Sequence, residues 1–179
     1  VNGKTITEMG YKVSPGDEVR FDGRLLQAEK KEYVLLNKPK NFITTTRDEK
    51  GRRTVMELIS SASAARLLPV GRLDRNTTGL LLFTNDGDLA KRLTHPKHGV
   101  RKIYHVELDR SLKDSDLNKI RQGLELEDGP IEVDEVSYVS GAPKREVGIR
   151  LHSGRNRIVR RIFEHLGYRV VKLDRVSFA

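Results

Sequence analysis

The sequence predicts an α+β fold, because segments that alternate or are wholly apolar, and so read as strands, outnumber segments with helical spacing, and the two kinds are mixed along the chain. With 179 residues it has the length of one full domain plus a fragment of another, and it shows no internal repeat or low-complexity tract.

The elements follow in order. Lys12-Val13-Ser14-Pro15-Gly16-Asp17 holds a Pro-Gly turn, and Glu18-Val19-Arg20-Phe21 alternates before Asp22-Gly23, so the first residues read as short strands and turns, too few to fold alone. The charged Glu29-Lys30-Lys31-Glu32 reads as a linker, and the apolar Tyr33-Val34-Leu35-Leu36 is a strand ending at Lys38-Pro39. The expected division is residues 1–29 and 30–179. Thr44 to Arg53 is a polar loop, and Val55 to Leu67 carries small, helix-compatible residues. Leu80-Leu81-Leu82-Phe83-Thr84 is a buried strand, followed by a short helix from Asp88 to Leu93, capped by Asp86 and stopping before Pro96. Lys102 to Leu108 alternates, with Tyr104, Val106 and Leu108 on one face. Ser115 is a candidate N-cap for a helix bearing Leu117, Ile120 and Leu124, with Gly123 near its stop. Strands are expected at Ile131–Val136 and Val147–Leu151. The last helix, Arg157 to Leu166, carries Val159, Ile162, Phe163 and Leu166 as one stripe, with Arg157, Arg160, Arg161 and Glu164 opposite and Gly167 at its end.

Composition narrows the partners. A net charge of +9 and a pI near 9.8 favour an anionic partner, because cations that neutralise phosphates release counterions. The charge is also polarised: Lys144 to Arg175 holds ten Lys or Arg against three acids, whereas Glu107 to Val136 holds ten acids against four bases. A nucleic acid lying on one side fits that distribution, although charge runs are often merely solvated faces. Aromatics at 6%, with no Trp, argue against a stacking platform for single strands. The absence of Cys removes disulfides and thiolate metal sites, and no run approaches the roughly 18 apolar residues of a membrane helix. The start at Val1 has no signal-peptide character and lacks Met, so an upstream segment is expected.

Among residues able to carry chemistry, Gly71 to Gly79 stands out, a polar loop between two glycines just before a buried strand. On the residues alone, Asp74 in that loop reads first as a turn cap for backbone amides. Tyr104 shares a face with Val106 and Leu108 and reads as core. Arg160 is one of several arginines on a solvated helix face. His95, His98 and His105 fit no common zinc spacing, and Ser153-Gly154 and Thr77-Thr78 lack the base partner that a nucleophilic hydroxyl requires.

The run Gly71-Arg72-Leu73-Asp74-Arg75-Asn76-Thr77-Thr78-Gly79-Leu80-Leu81-Leu82-Phe83-Thr84-Asn85-Asp86-Gly87 resembles the signature of the ribosomal pseudouridine synthases of the RsuA and RluB type. Leu36-Asn37-Lys38-Pro39 is similar to that family's first motif, Arg101-Lys102-Ile103-Tyr104 to its tyrosine motif, and Gly154-Arg155-Asn156-Arg157-Ile158-Val159-Arg160-Arg161 to its last basic motif. Residues 1–29 resemble the end of the small N-terminal RNA-binding domain of these enzymes.

The resemblance implies the pseudouridine synthase fold, a mixed, largely antiparallel sheet flanked by helices. It implies isomerisation of a uridine in ribosomal RNA, of the large subunit by the look of the last motif, without cofactor or metal. Asp74 would be the catalytic carboxylate, Tyr104 the aromatic against the target base, and Arg160 the cation paired with Asp74, favouring its charged form. Arg72 would occupy the gap left by the flipped nucleotide, and Lys38, Arg75, Lys102, Arg155, Arg157 and Arg161 would join it in binding RNA. Many relatives have Gln where this chain has Ile158, whose side chain is expected to pack. The expected partner is ribosomal RNA, free or in a subunit precursor, met by a cytoplasmic monomer with no membrane. The alternatives are a small-subunit pseudouridine synthase and a non-catalytic RNA-binding assembly factor.

Overall fold

The computed structural model describes residues 1–27 and 29–178. The chain divides into two compact units, Val1–Lys31 and Glu32–Ala179.

In the first unit, β1 (Val19–Phe21) and β2 (Arg24–Leu26) form an antiparallel hairpin. The two turn residues Asp22 and Gly23 both take positive φ, 52° and 78°, the geometry that two-residue hairpin turns need and that the Asp-Gly pair supplies. Asp17 accepts from Asn2 Nδ2 and from the Ser14 amide, which ties the loop to the chain start. None of this unit's described residues is buried.

The second unit is built on a seven-stranded sheet. It comprises β3 (Tyr33–Lys38), β4 (Leu68–Pro69), β5 (Thr78–Thr84), β6 (Lys102–Leu108), β9 (Glu135–Tyr138), β10 (Glu146–Leu151) and β11 (Val170–Phe178). The order is β3-β5-β11-β6-β10-β9 with β4 on β5, and every pairing is antiparallel except β5 with β11. The sheet is thus mixed and largely antiparallel, as expected. A small hairpin, β7 (Leu124–Leu126) with β8 (Gly129–Ile131), stands beside it.

Helices α1 (Met56–Ile59), α2 (Gly87–Thr94), α3 (Asp114–Gln122) and α4 (Ile158–His165) complete the unit. The stripe of α4 behaves as its spacing predicts: Val159, Ile162 and Phe163 are buried, and Ile158 joins them. Asp86 caps α2 by accepting from the Leu89 amide at 3.1 Å. Apolar side chains collect in two clusters. One, around Phe42, Val55, Ile59, Leu67, Leu73, Leu81 and Phe83, serves β3, β5 and α1. The larger one joins β6, β9, β10 and β11 to α3 and α4.

Three local expectations fail for physical reasons. The helix expected over 55–67 ends at Ile59, because the following serines satisfy other groups: Ser60 donates to the Glu57 carbonyl and Ser63 to the Glu32 carboxylate. The N-cap of α3 is Lys113 rather than Ser115, with Asp114 and Asp116 against the positive end of the helix dipole. The single strand expected over 131–136 is two, since residues up to Ile131 pair back on β7 whereas Glu135 onward pairs with β10.

Candidate active site

The loop from Gly71 to Thr77 is fixed by its backbone, which leaves the Asp74 side chain free to project. Leu73 is buried, and the buried Thr44 hydroxyl donates to its carbonyl at 2.8 Å and accepts from its amide at 3.2 Å. The Asp74 carbonyl takes the Thr77 amide at 3.0 Å, closing a turn. At the end of β3, the Lys38 ammonium donates to four carbonyls, those of Thr77 at 2.7 Å, Pro39 and Asp74 at 3.0 Å, and Arg75 at 3.3 Å. The Asn41 amide adds a bond to the Arg75 carbonyl. Lys38 is completely buried. Burial draws its pKa down to about 8, with the Asp74 charge opposing. It was expected to meet RNA; here its side chain has no solvent exposure and its ammonium is taken up by loop carbonyls, so in this structure it clamps the loop rather than presenting charge.

The Asp74 carboxylate lies at the mouth of a cleft of about 570 Å³, a volume typical of sites that bury a small-molecule-sized group. Its ionic partner is Arg157, whose Nη1 stands 3.2 Å from Oδ2. The pairing expected with Arg160 is not made. Arg157 sits before the first turn of α4 in the left-handed conformation, φ 51°, which brings its side chain to the cleft mouth. Arg160, one turn further on, is half-buried inside the cleft, with Nη2 3.5 Å from the Thr77 hydroxyl and Nε buried without a hydrogen-bond partner. Burial lowers the pKa of Arg160, the Arg157 charge adds to that, and the charges of Asp74 and Glu164 oppose it.

Tyr104 lines the cleft from β6, opposite Ile149 of β10 and Arg175 of β11. Burial raises its hydroxyl pKa, and Arg175 opposes that shift. Arg175, not singled out from the sequence, is only 3% exposed. Its Nε and Nη2 donate to the Leu80 carbonyl at 2.9 and 2.7 Å, and its guanidinium lies 4.4 Å from the centre of the Phe178 ring. Arg175 and Phe178 line the cleft from β11, and the bonds to the Leu80 carbonyl join that strand to β5. Thr77 and Phe178 likewise line the cleft and were missed as site residues.

The remaining expected RNA contacts separate into two sets. Arg72 is exposed and lines the cleft, Lys102 lines it from β6, and Arg75 is exposed outside the lining. Arg155 and Arg161, by contrast, are both held by Asp128 in the β7–β8 turn, Arg161 at 2.7 Å. Arg155 also donates to the carbonyls of Pro130 and Gly129, and Arg161 to that of Asn156. The two guanidiniums, Arg161 foremost, hold the Asp128 carboxyl well below the usual carboxylate range. They fix the loop that carries Asn156 and Arg157 more directly than they present charge. The histidines pair elsewhere, His105 with Glu146 and His152 with Asp134. Among the described residues no group of three or more His, Cys, Asp or Glu is arranged to hold a metal ion, and no helix is long and apolar enough to cross a membrane.

Comparison with known proteins gives this arrangement a lineage. The RNA pseudouridylate synthase family model matches residues 32–165. Ribosomal large subunit pseudouridine synthase B of Bacillus subtilis is 38% identical over 182 residues, covering all of this chain and 74% of the relative. An uncharacterized RNA pseudouridine synthase of Aquifex aeolicus is 38% identical over 180 residues, covering 99% of this chain and 72% of the relative. A crystal structure described as a pseudouridylate synthase superposes with a TM-score of 0.75 at 31% identity, over 98% of this chain and 75% of the other. A structure of an H/ACA RNP bound to a substrate RNA shares the fold alone, with a TM-score of 0.53 at 14% identity over 82% of this chain and 47% of the other. With the family pattern running through most of its length and relatives matching it over nearly all of its residues, this chain belongs to the RNA pseudouridylate synthase family.

Proposed function

We propose that the protein isomerises a specific uridine of large-subunit ribosomal RNA to pseudouridine, with Asp74 as the catalytic carboxylate. The observation that carries this reading is the placement of Asp74: a carboxylate on a loop clamped by Lys38 and Thr44, at the mouth of a cleft walled by Tyr104 and Arg175. The name of the Bacillus subtilis relative supports the large subunit, as does that of a Xanthomonas campestris relative 36% identical over 188 residues.

The reaction moves the base from a bond at N1 to one at C5. The target nucleotide leaves its stack, at a cost of about a few kcal/mol, and enters the cleft. Asp74 promotes breakage of the C1′–N1 bond by attack on the sugar or the base, or by elimination from the sugar. The ring turns, C5 bonds to C1′ and loses its proton, and N1 gains one, so composition is unchanged. Tyr104 supplies the surface against which the ring lies. Arg157 orients Asp74 before RNA arrives, and Arg160, already within reach of the Asp74 field, is the cation left inside when the cleft fills. Arg72 takes the place of the flipped nucleotide. The protein works as a cytoplasmic monomer on RNA that is free or in a subunit precursor.

The test is tritium release from ribosomal RNA labelled at uridine C5. Asp74→Ala is expected to lower turnover by at least about 10⁴-fold, the scale of losing an essential catalytic group, while binding is nearly kept; retained turnover overturns the assignment. Mapping pseudouridines in ribosomal RNA from cells with and without the protein identifies subunit and position together.

A further inference from the structure

Of the cations lining the cleft, Arg157 meets Asp74, Arg155 meets Asp128 and Arg175 donates twice to the Leu80 carbonyl, Arg72 is exposed to water, and Arg160 makes one contact of 3.5 Å with the Thr77 hydroxyl. Lys102 differs. It is half-buried in the cleft wall, its hydrogen bond is a long one of 3.4 Å to the Ser153 carbonyl, and among the described residues no carboxylate is in ion-pair contact with it. Burial lowers its pKa, and the like charge of Arg175 lowers it further. It precedes Tyr104 by two residues on β6, so both side chains leave the same face of the strand and line one cleft. A half-buried ammonium with so little compensation is costly unless an acceptor arrives.

We propose that Lys102 holds a carbonyl oxygen of the target uracil and stabilises the negative charge that collects on the base as the glycosidic bond breaks. The inference rests on the pseudouridine synthase reading above. When C1′–N1 breaks with its electron pair remaining on the base, the detached uracil is a monoanion whose charge is shared among N1, O2 and O4. Lys102 remains protonated and donates a charge-assisted hydrogen bond to O2 or O4, a bond that strengthens as charge develops in a site sheltered from water. No proton passes to or from it. The negative charge on the base is spent when its electron pair forms the C5–C1′ bond; C5 then loses its proton and N1 gains one, with no change of net charge. Tyr104 beneath the ring and Lys102 at its edge together keep the free base from leaving.

Two RNAs distinguish this role from a phosphate contact: one with the target uridine and one abasic at that position. Lys102→Met, which keeps the stem and removes the charge, is expected to weaken binding of the uridine RNA by about tenfold, leave binding of the abasic RNA unchanged, and slow single-turnover isomerisation by about 10² to 10³-fold. Lys102→Arg should restore part of the rate. Equal loss of affinity for both RNAs, or an unchanged single-turnover rate, overturns the proposal. If Lys102→Met does not fold, Lys102→Gln is measured against the same outcomes. Wild-type protein that converts no uridine defeats the functional reading itself, whereas an active wild type with unaltered Lys102 variants defeats only this inference.

Discussion

Four backbone carbonyls converge on the ammonium of Lys38, and three of them belong to residues 74 to 77. Removing the donor leaves buried acceptors unpaired, each at a cost of about 1–3 kcal/mol, softened where water can enter. Lys38→Met is therefore expected to lose about 3 kcal/mol of stability in denaturant unfolding and more than about 100-fold in turnover, since small misplacements of Asp74 are costly. RNA affinity should barely change, which separates a clamp from a phosphate contact. Stability carries a pH signature as well. The folded pKa of about 8 lies below the ordinary 10.5, so between those values the unfolded chain holds a proton that the folded one lacks. The contribution of Lys38 is full above 10.5 and falls as pH drops through 8, and the melting difference between wild type and Lys38→Met should widen in favour of wild type from pH 8 to 10. The family resemblance marked Asp74, Tyr104 and Arg160 as a catalytic set and Lys38 as an RNA contact, but not their wiring. A lysine that faces carbonyls and one that faces phosphate look alike in one dimension, and which of Arg157 and Arg160 meets Asp74 depends on a left-handed residue at the start of α4.

At the scale of elements, α4, β5 and β6 were legible because their apolar periods are unbroken. β11 was not, although it is the central strand between β5 and β6. Two register shifts along its pairing with β6 break the alternation, and its buried positions include Arg175. Without β11 neither the order of the sheet nor the wall of the cleft can be deduced. The close approach of β5 to β11 rests on Gly79, which has φ +115° and whose added Cβ would fall 2.3 Å from the Arg175 carbonyl oxygen. Gly79→Ala combines an unfavourable backbone with a clash that only movement of a strand relieves. The expected cost is about 2–4 kcal/mol, or a fall in Tm of roughly 6–12 °C for a domain of this size. Because Arg175 shifts with the strand, turnover should fall below what the loss of stability explains, which activity assays well below Tm will show.

At the scale of the whole molecule, the question is what the first 31 residues do. Both buried apolar clusters lie in the second unit, beginning at Phe42, and the described residues of the first unit are all at least partly exposed. Hydrophobic burial is the main source of fold stability, so deleting residues 1–31 should move Tm by no more than about 2 °C. The deletion also removes exposed Met9, Phe21, Leu25 and Leu26, and solubility should rise. Charge makes a sharper distinction. The deleted segment holds six Lys or Arg and five Asp or Glu, a net of one among the +9 of the chain. Counterion release scales with the phosphates neutralised, so the slope of log affinity against log salt should stay within about one unit of the full chain. Absolute affinity for ribosomal RNA should fall if the first unit touches RNA through contacts that are largely independent of salt. A steep loss of salt dependence in the shortened protein would place the electrostatic grip in the first unit and remove it from the rim around Arg72 and Arg157. An unchanged slope with weaker binding assigns orientation to the first unit and charge recognition to the second.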